Sequence, residues 1–161
     1  MNEDLILKIN IWGAIVFVLF LFLDIILIGT ETAFNVFALL TAIIGLIVLI
    51  SAVVGTVLII NEDKWVAISI VAFLSVWVMF SIGYILGFDE PFMNYRSFFI
   101  TYYIIFVVSA VFMRIAFKKI ITVFKILPGV FLFINALITL YIVFMHMWWV
   151  LSPGVSEVFN G

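Results

Sequence analysis

The chain has 161 residues, of which 68% are apolar and 10% charged, and its net charge is −2. Soluble domains are about half apolar and about a quarter charged, so charges this sparse cannot cover a water-facing surface, and an integral membrane protein is expected. Without cysteine, the chain has no disulfide, thiolate nucleophile or Cys-ligated zinc or iron–sulfur centre, and its one histidine, His146, cannot ligate a haem from both sides.

The charges divide the sequence into uncharged runs: 9–23, then 32–61, 65–88, 97–113 and 126–156. A helix rises about 1.5 Å per residue, so a hydrocarbon core of about 30 Å takes about 20 residues. Backbone amides in lipid must bond within their own segment, and no strand-like alternation points to a barrel. The fold class expected is therefore an all-α integral membrane protein, a single domain over 1–161 with five transmembrane helices near 10–29, 33–60, 65–88, 97–117 and 128–151.

The first span follows Asn10, a candidate cap. Glu3 and Asp4 precede the only early lysine, Lys8, Asp24 interrupts the apolar stretch, and no A-x-A-like cleavage site follows, so this is read as a retained helix rather than a signal peptide. Asp24 is the one acid well inside an apolar run, about 6 Å from the far end of its helix. Its helical neighbours Phe17, Phe20, Leu21, Leu27 and Ile28 give it no partner, so it snorkels, bonds to another helix, or handles a proton or ion.

The second span, with Thr32 as its candidate cap, carries small residues at spacings of three and four. Ala38, Thr41, Ala42, Gly45, Ser51, Ala52 and Gly55 mark a face for close helix packing, either inside the bundle or against another subunit. Asn61 or Asp63 is placed to cap the third span, which ends in Gly83-Tyr-Ile-Leu-Gly87, a GxxxG pair of the same kind. Asp89-Glu90-Pro91 then breaks the chain. Two adjacent acids without further spaced oxygens are weak calcium ligands, and no metal is expected.

Ser97 starts the fourth span. Arg114, Lys118, Lys119 and Lys125 recur among Phe117, Ile120, Ile121, Phe124 and Leu127, so 114–127 reads as a basic amphipathic stretch lying in the membrane interface, where it meets anionic lipid headgroups. Pro128 fits the first turn of the fifth span, and Ser152-Pro153-Gly154 ends it. Within this span Asn135 can bond between helices, as can Asn35 on the second. His146 lies at the depth of Asp24, so an Asp24–His146 pair holding or relaying a proton is the sharpest chemical expectation.

With five spans, Lys8, Lys64, Arg114, Lys118, Lys119 and Lys125 share one side, and only Arg96 lies on the other. This bias orients the N-terminus inside and the C-terminus outside. Trp12 and Trp65 fall near the inner interface, and Tyr84, Tyr95, Tyr102, Tyr103, Trp148 and Trp149 toward the outer one, as interfacial anchors; Trp77 is mid-span and reads as packing.

No glycine falls in GxGxxG or GxxxxGK(S/T), and the basic residues are too few for a nucleic-acid footprint, so neither a nucleotide cofactor nor nucleic acid is expected. An intramembrane enzyme needs a polar constellation at one depth, for which only Asp24 and His146 qualify. The expected function is an accessory, structural subunit of a larger membrane complex, such as a respiratory or other oxidoreductase assembly. Its partners are lipid and other integral membrane subunits, and it has no catalytic centre of its own. The alternative is a small homo-oligomeric channel or proton-coupled transporter using Asp24 and His146.

Overall fold

A computed structural model describes residues 3–27, 31–85 and 95–151, without the side chains at 25, 31–35, 82–85, 95–96 and 148–151. The described residues form α1 (Glu3–Leu27), α2 (Glu31–Leu58), α3 (Lys64–Ile85), α4 (Tyr95–Lys119) and α5 (Ile126–Leu151), with one 3-10 turn, Val123–Lys125, and no strand. Each α-helix is long and apolar enough to cross a membrane.

The helix ends follow local chemistry. α1 starts at Glu3 rather than at Asn10. Its first turn is acidic, which suits the positive end of the helix dipole, and Ile6 and Leu7 are buried, so the extra turns pack against neighbours. Asn10, expected as a cap, is instead a fully buried residue inside the helix. Before α3, the Asn61 side-chain oxygen accepts the Asp63 amide at 3.0 Å, closing an Asx turn, and the Val66 amide bonds to the Asp63 carbonyl. α4 ends on Lys118 and Lys119, cations at the negative end of its dipole.

The stretch expected as one basic amphipathic segment over 114–127 is divided. α4 continues to Lys119, residues 120–122 leave the helix, and α5 starts at Ile126 with Pro128 in its first turn. Ile120 is buried while Ile121 and Val123 are exposed, so burying Ile120 turns the chain out of the helical path.

Neighbouring helices are antiparallel. Glu3 accepts the Ile60 amide at 3.4 Å, Asn10 meets Ser51, Phe17 meets Gly45, and Asp24 meets Thr41, so residue numbers rise on α1 as they fall on α2. α3 is the centre: it packs against all four other helices, whereas α1 and α2 make their main contacts with each other and with α3, and α4 and α5 likewise. Half of the α3 span is buried, against about a fifth to a third of each other span.

Aromatic rings fill the middle of the bundle. The Phe17 ring stands edge-on to Trp77, centroids 4.8 Å apart, and to Phe73 at 5.9 Å; Phe73 stacks on Phe131 at 4.6 Å with only 10° between the planes. A single row of rings thereby ties α1, α3 and α5. The row reaches α2 because position 45 is glycine: a Cβ there would lie 2.7 Å from the Phe17 ring and 2.9 Å from Trp77. Were the helices to cross a bilayer, whose tails are as apolar as these side chains, this close van der Waals fit rather than escape from water would hold them together.

Candidate functional site

The interior polar groups fall into separate clusters, best followed from the end of the bundle that carries Lys64, Lys119 and Lys125 toward the opposite end. Nearest that basic end, the Ser51 hydroxyl donates to the Asn10 side-chain oxygen at 2.6 Å, joining α2 to α1. The Asn10 side-chain nitrogen is buried without a partner and lies against Gly55, where a Cβ would collide with it. Gly55 is thus the residue that lets the amide sit between the two helices.

A second cluster joins α3, α4 and α5. The Ser109 hydroxyl donates to the Ala72 carbonyl at 2.6 Å, and the Asn135 amide nitrogen lies 3.4 Å from both the Phe73 carbonyl and Ser109 Oγ. These residues lie roughly 12–15 Å along their helices from the basic end, close to mid-depth of a core about 30 Å thick. Asn135 is fully buried, and its side-chain oxygen has no partner. Ser69 and Ser75, by contrast, bond back to carbonyls of their own helix at 2.7 and 2.9 Å and link nothing.

Asp24 and His146 lie toward the opposite end, at similar distances along their helices, and the structure does not bring them together. Asp24 lies beside the Thr41 side chain on α2, whose hydroxyl donates to the Phe37 carbonyl at 2.9 Å; the carboxyl oxygen Oδ1 of Asp24 is enclosed without a partner. His146 Nδ1 shares a hydrogen bond with the Tyr103 hydroxyl at 2.9 Å, and its ring stacks on Phe99 with centroids 4.1 Å apart. Both of those partners are on α4. The hydroxyl of Tyr102, the residue next to Tyr103 on α4, lies 3.1 Å from that of Thr139, about two turns before His146 on α5. α3 occupies the space between α1 and α5, so equal depth does not become contact.

The small-residue face of α2 is used within the chain. Thr41, Gly45, Ala52 and Gly55 are buried, Ala38, Ala42 and Ser51 are half-buried, and Gly45 and Gly55 receive side chains from α1 and α3. Arg114, Lys118, Lys119 and Lys125 are all exposed around the end of α4 and the start of α5. The Lys125 ammonium lies 5.3 Å from the centre of the Phe117 ring. The surroundings of Gly83 and Gly87, and those of Asn35, Tyr84, Asp89, Glu90, Tyr95, Arg96, Trp148 and Trp149, lie outside the described residues. Among the described residues, no group of three or more His, Asp or Glu side chains is placed to hold a metal.

Sequence reasoning singled out Asn135 but not its partner Ser109, and it missed the Asn10–Ser51 bond and the pairing of Tyr103 with His146. The signal for the first was available: Ser109 and Asn135 stand at matching depths on consecutive helices. Comparison with protein-family models, curated proteins and solved structures finds no match to this chain.

Proposed function

We propose that the chain is a multi-pass integral membrane protein, inserted with its Lys- and Arg-rich end inside, that serves as an accessory, structural subunit of a larger membrane complex. A respiratory or other oxidoreductase assembly is one such complex, and its chemistry would reside in the partner subunits. What supports this reading is how the interior polar groups are used. Asn10 and Ser51, Ser109 and Asn135, Tyr102 and Thr139, and Tyr103 and His146 bond across helices in separate clusters at different depths, each bracing a helix pair. A translocation path would instead call for a continuous polar stripe or rings of matched side chains.

Gentle affinity purification from the native membrane followed by native mass spectrometry tests the assembly. Stoichiometric, different membrane subunits are expected, and a lone chain or a homo-oligomer would overturn the reading. Orientation is tested separately. Because the chain has no cysteine, an impermeant maleimide should label Asp89→Cys in intact cells and leave Lys119→Cys unlabelled until the membrane is opened.

The second reading, a proton-coupled channel or transporter, draws on one observation: the enclosed, unpartnered Oδ1 of Asp24. A proton-dependent flux in liposomes containing only this chain, abolished by Asp24→Asn, would establish it in place of the first.

A further inference from the structure

A groove of about 440 Å³ runs between α4 and α5 at the basic end of the bundle. Its walls are apolar, among them Phe106, Ala110 and Leu132, and Arg114, Phe117 and Gly129 lie at its mouth. From Phe106 to Arg114 the groove extends about 12 Å along α4, most of the depth of one leaflet of a core about 30 Å thick. The mouth is open at Gly129, where a Cβ would have no protein atom within 4 Å.

The charge at the mouth has one sign. Arg114 lines the groove and is exposed, and Lys125 is held over the ring of Phe117, another lining residue. Among the described residues, no acidic side chain lines the groove. The acid that approaches this loop, Asp63, lies 3.5 Å from the Thr122 hydroxyl instead. A guanidinium grips phosphate oxygens in pairs, and an ammonium adds a point charge beside it. An apolar slot one leaflet deep under two cations matches a molecule with a hydrocarbon chain and an anionic phosphodiester head.

We propose that the α4–α5 groove is a specific site for an anionic phospholipid, with an acyl chain lying along Ala110 and Leu132 and the headgroup phosphate held by Arg114 and Lys125. The site rests on the chain's spanning a bilayer and needs no partner subunit, so a chain found alone would leave it standing.

The test uses the full-length protein in detergent, exposed to equal amounts of dioleoylphosphatidylglycerol and dioleoylphosphatidylcholine, with lipid adducts counted by native mass spectrometry. The wild type should retain the anionic lipid by about tenfold over the zwitterionic one. Arg114→Gln combined with Lys125→Gln should bring that ratio close to one. Gly129→Leu fills the groove and leaves both cations in place, and it should lose anionic-lipid retention to a similar degree. It also replaces a helical glycine with a better helix former, so unfolding is not its expected effect. If its helical circular dichroism is nevertheless lost, Val111→Phe, from the exposed opposite wall, takes its place.

Equal retention of the two lipids by the wild type would overturn the proposal. So would unchanged retention by the groove-filling variant, which would reduce the cations to a diffuse surface attraction. Displacement of the lipid by inorganic phosphate alone would assign the cations to free phosphate and overturn it too. Failure to retain either lipid would sink the membrane reading along with the groove.

Discussion

α2 and α3 are both uninterrupted apolar helices, yet they meet opposite fates. α2 is the more apolar, but only 22% of its span is buried, against 50% for α3. In water the order would be reversed, because apolar area is what burial removes from solvent. In lipid, where the proposed function puts the chain, an exposed Leu or Ile would have nothing to escape, and position in the bundle would be decided by shape and by backbone groups that can accept a bond. α3 offers both. Phe73 and Trp77 engage rings from other helices, and the Ala72 and Phe73 carbonyls receive Ser109 and Asn135. α2 contributes one narrow face, at Gly45, Ala52 and Gly55, and presents Leu39, Ile43, Leu46, Ile47, Ile50 and Val57 outward.

That contrast is breakable by substitution, with stability read from denaturant titration in mixed micelles. The largest effect is expected at the seam between the two helices: Gly45→Leu drives a side chain into the Phe17 and Trp77 rings and should cost about 3 kcal/mol. Phe73→Ala removes the ring that bridges Phe17 and Phe131 and should cost about 3 kcal/mol through the cavity it leaves. If it costs nothing, α3 is not the centre that its burial implies.

Smaller losses are expected where single hydrogen bonds are removed. Asn135→Ala removes two contacts and should cost about 1 kcal/mol, since a single polar contact between membrane helices is worth about 0.6 kcal/mol on average. Tyr103→Phe strips His146 of its hydroxyl partner and should cost about 0.6 kcal/mol. The smallest effect sharpens the comparison most. Ile47→Ala, on the 61% exposed outer face of α2, should change stability by less than about 0.5 kcal/mol. A loss well above that would show the outer face packed against a second chain in the micelle, where exposure in the monomer would no longer describe it.

The helices were legible because charge in a membrane chain is scarce and falls between spans: Glu31, Lys64 and Lys119 each stand at a helix end. The start of α1 was not, because Asn10 ahead of an apolar run has the look of a cap, and only the burial of Ile6 and Leu7 shows that the helix is already under way. The packing face of α2 could be read from its small residues, but its partners could not, since a stripe of small residues names no neighbour. Depth along a helix was legible as well, which is why Asp24 and His146 were matched. Adjacency around the bundle was not: it depends on α3 standing between α1 and α5, and residue spacing within one helix carries no trace of that.

The place of α3 also has a meaning in time. A chain entering a membrane from its N-terminus delivers its helices in order, and a polar side chain that arrives before its acceptor must wait in lipid. In the cluster that joins α3, α4 and α5 the acceptors come first. The Ala72 carbonyl already accepts the Ser75 hydroxyl within α3 when Ser109 arrives on α4 to share it, and Asn135, on the last helix, finds both Ser109 and the Phe73 carbonyl in place. Elsewhere a partner comes later: Tyr102 and Tyr103 on α4 precede Thr139 and His146 on α5, and Ser51 follows Asn10 by a whole helix. Asn10 sits only about 10 Å from the start of α1, where water would be nearest in a bilayer. For the cluster of α3, α4 and α5, in a chain that spans a bilayer as proposed, the order of residues would double as an order of assembly in which each polar group finds its acceptor waiting.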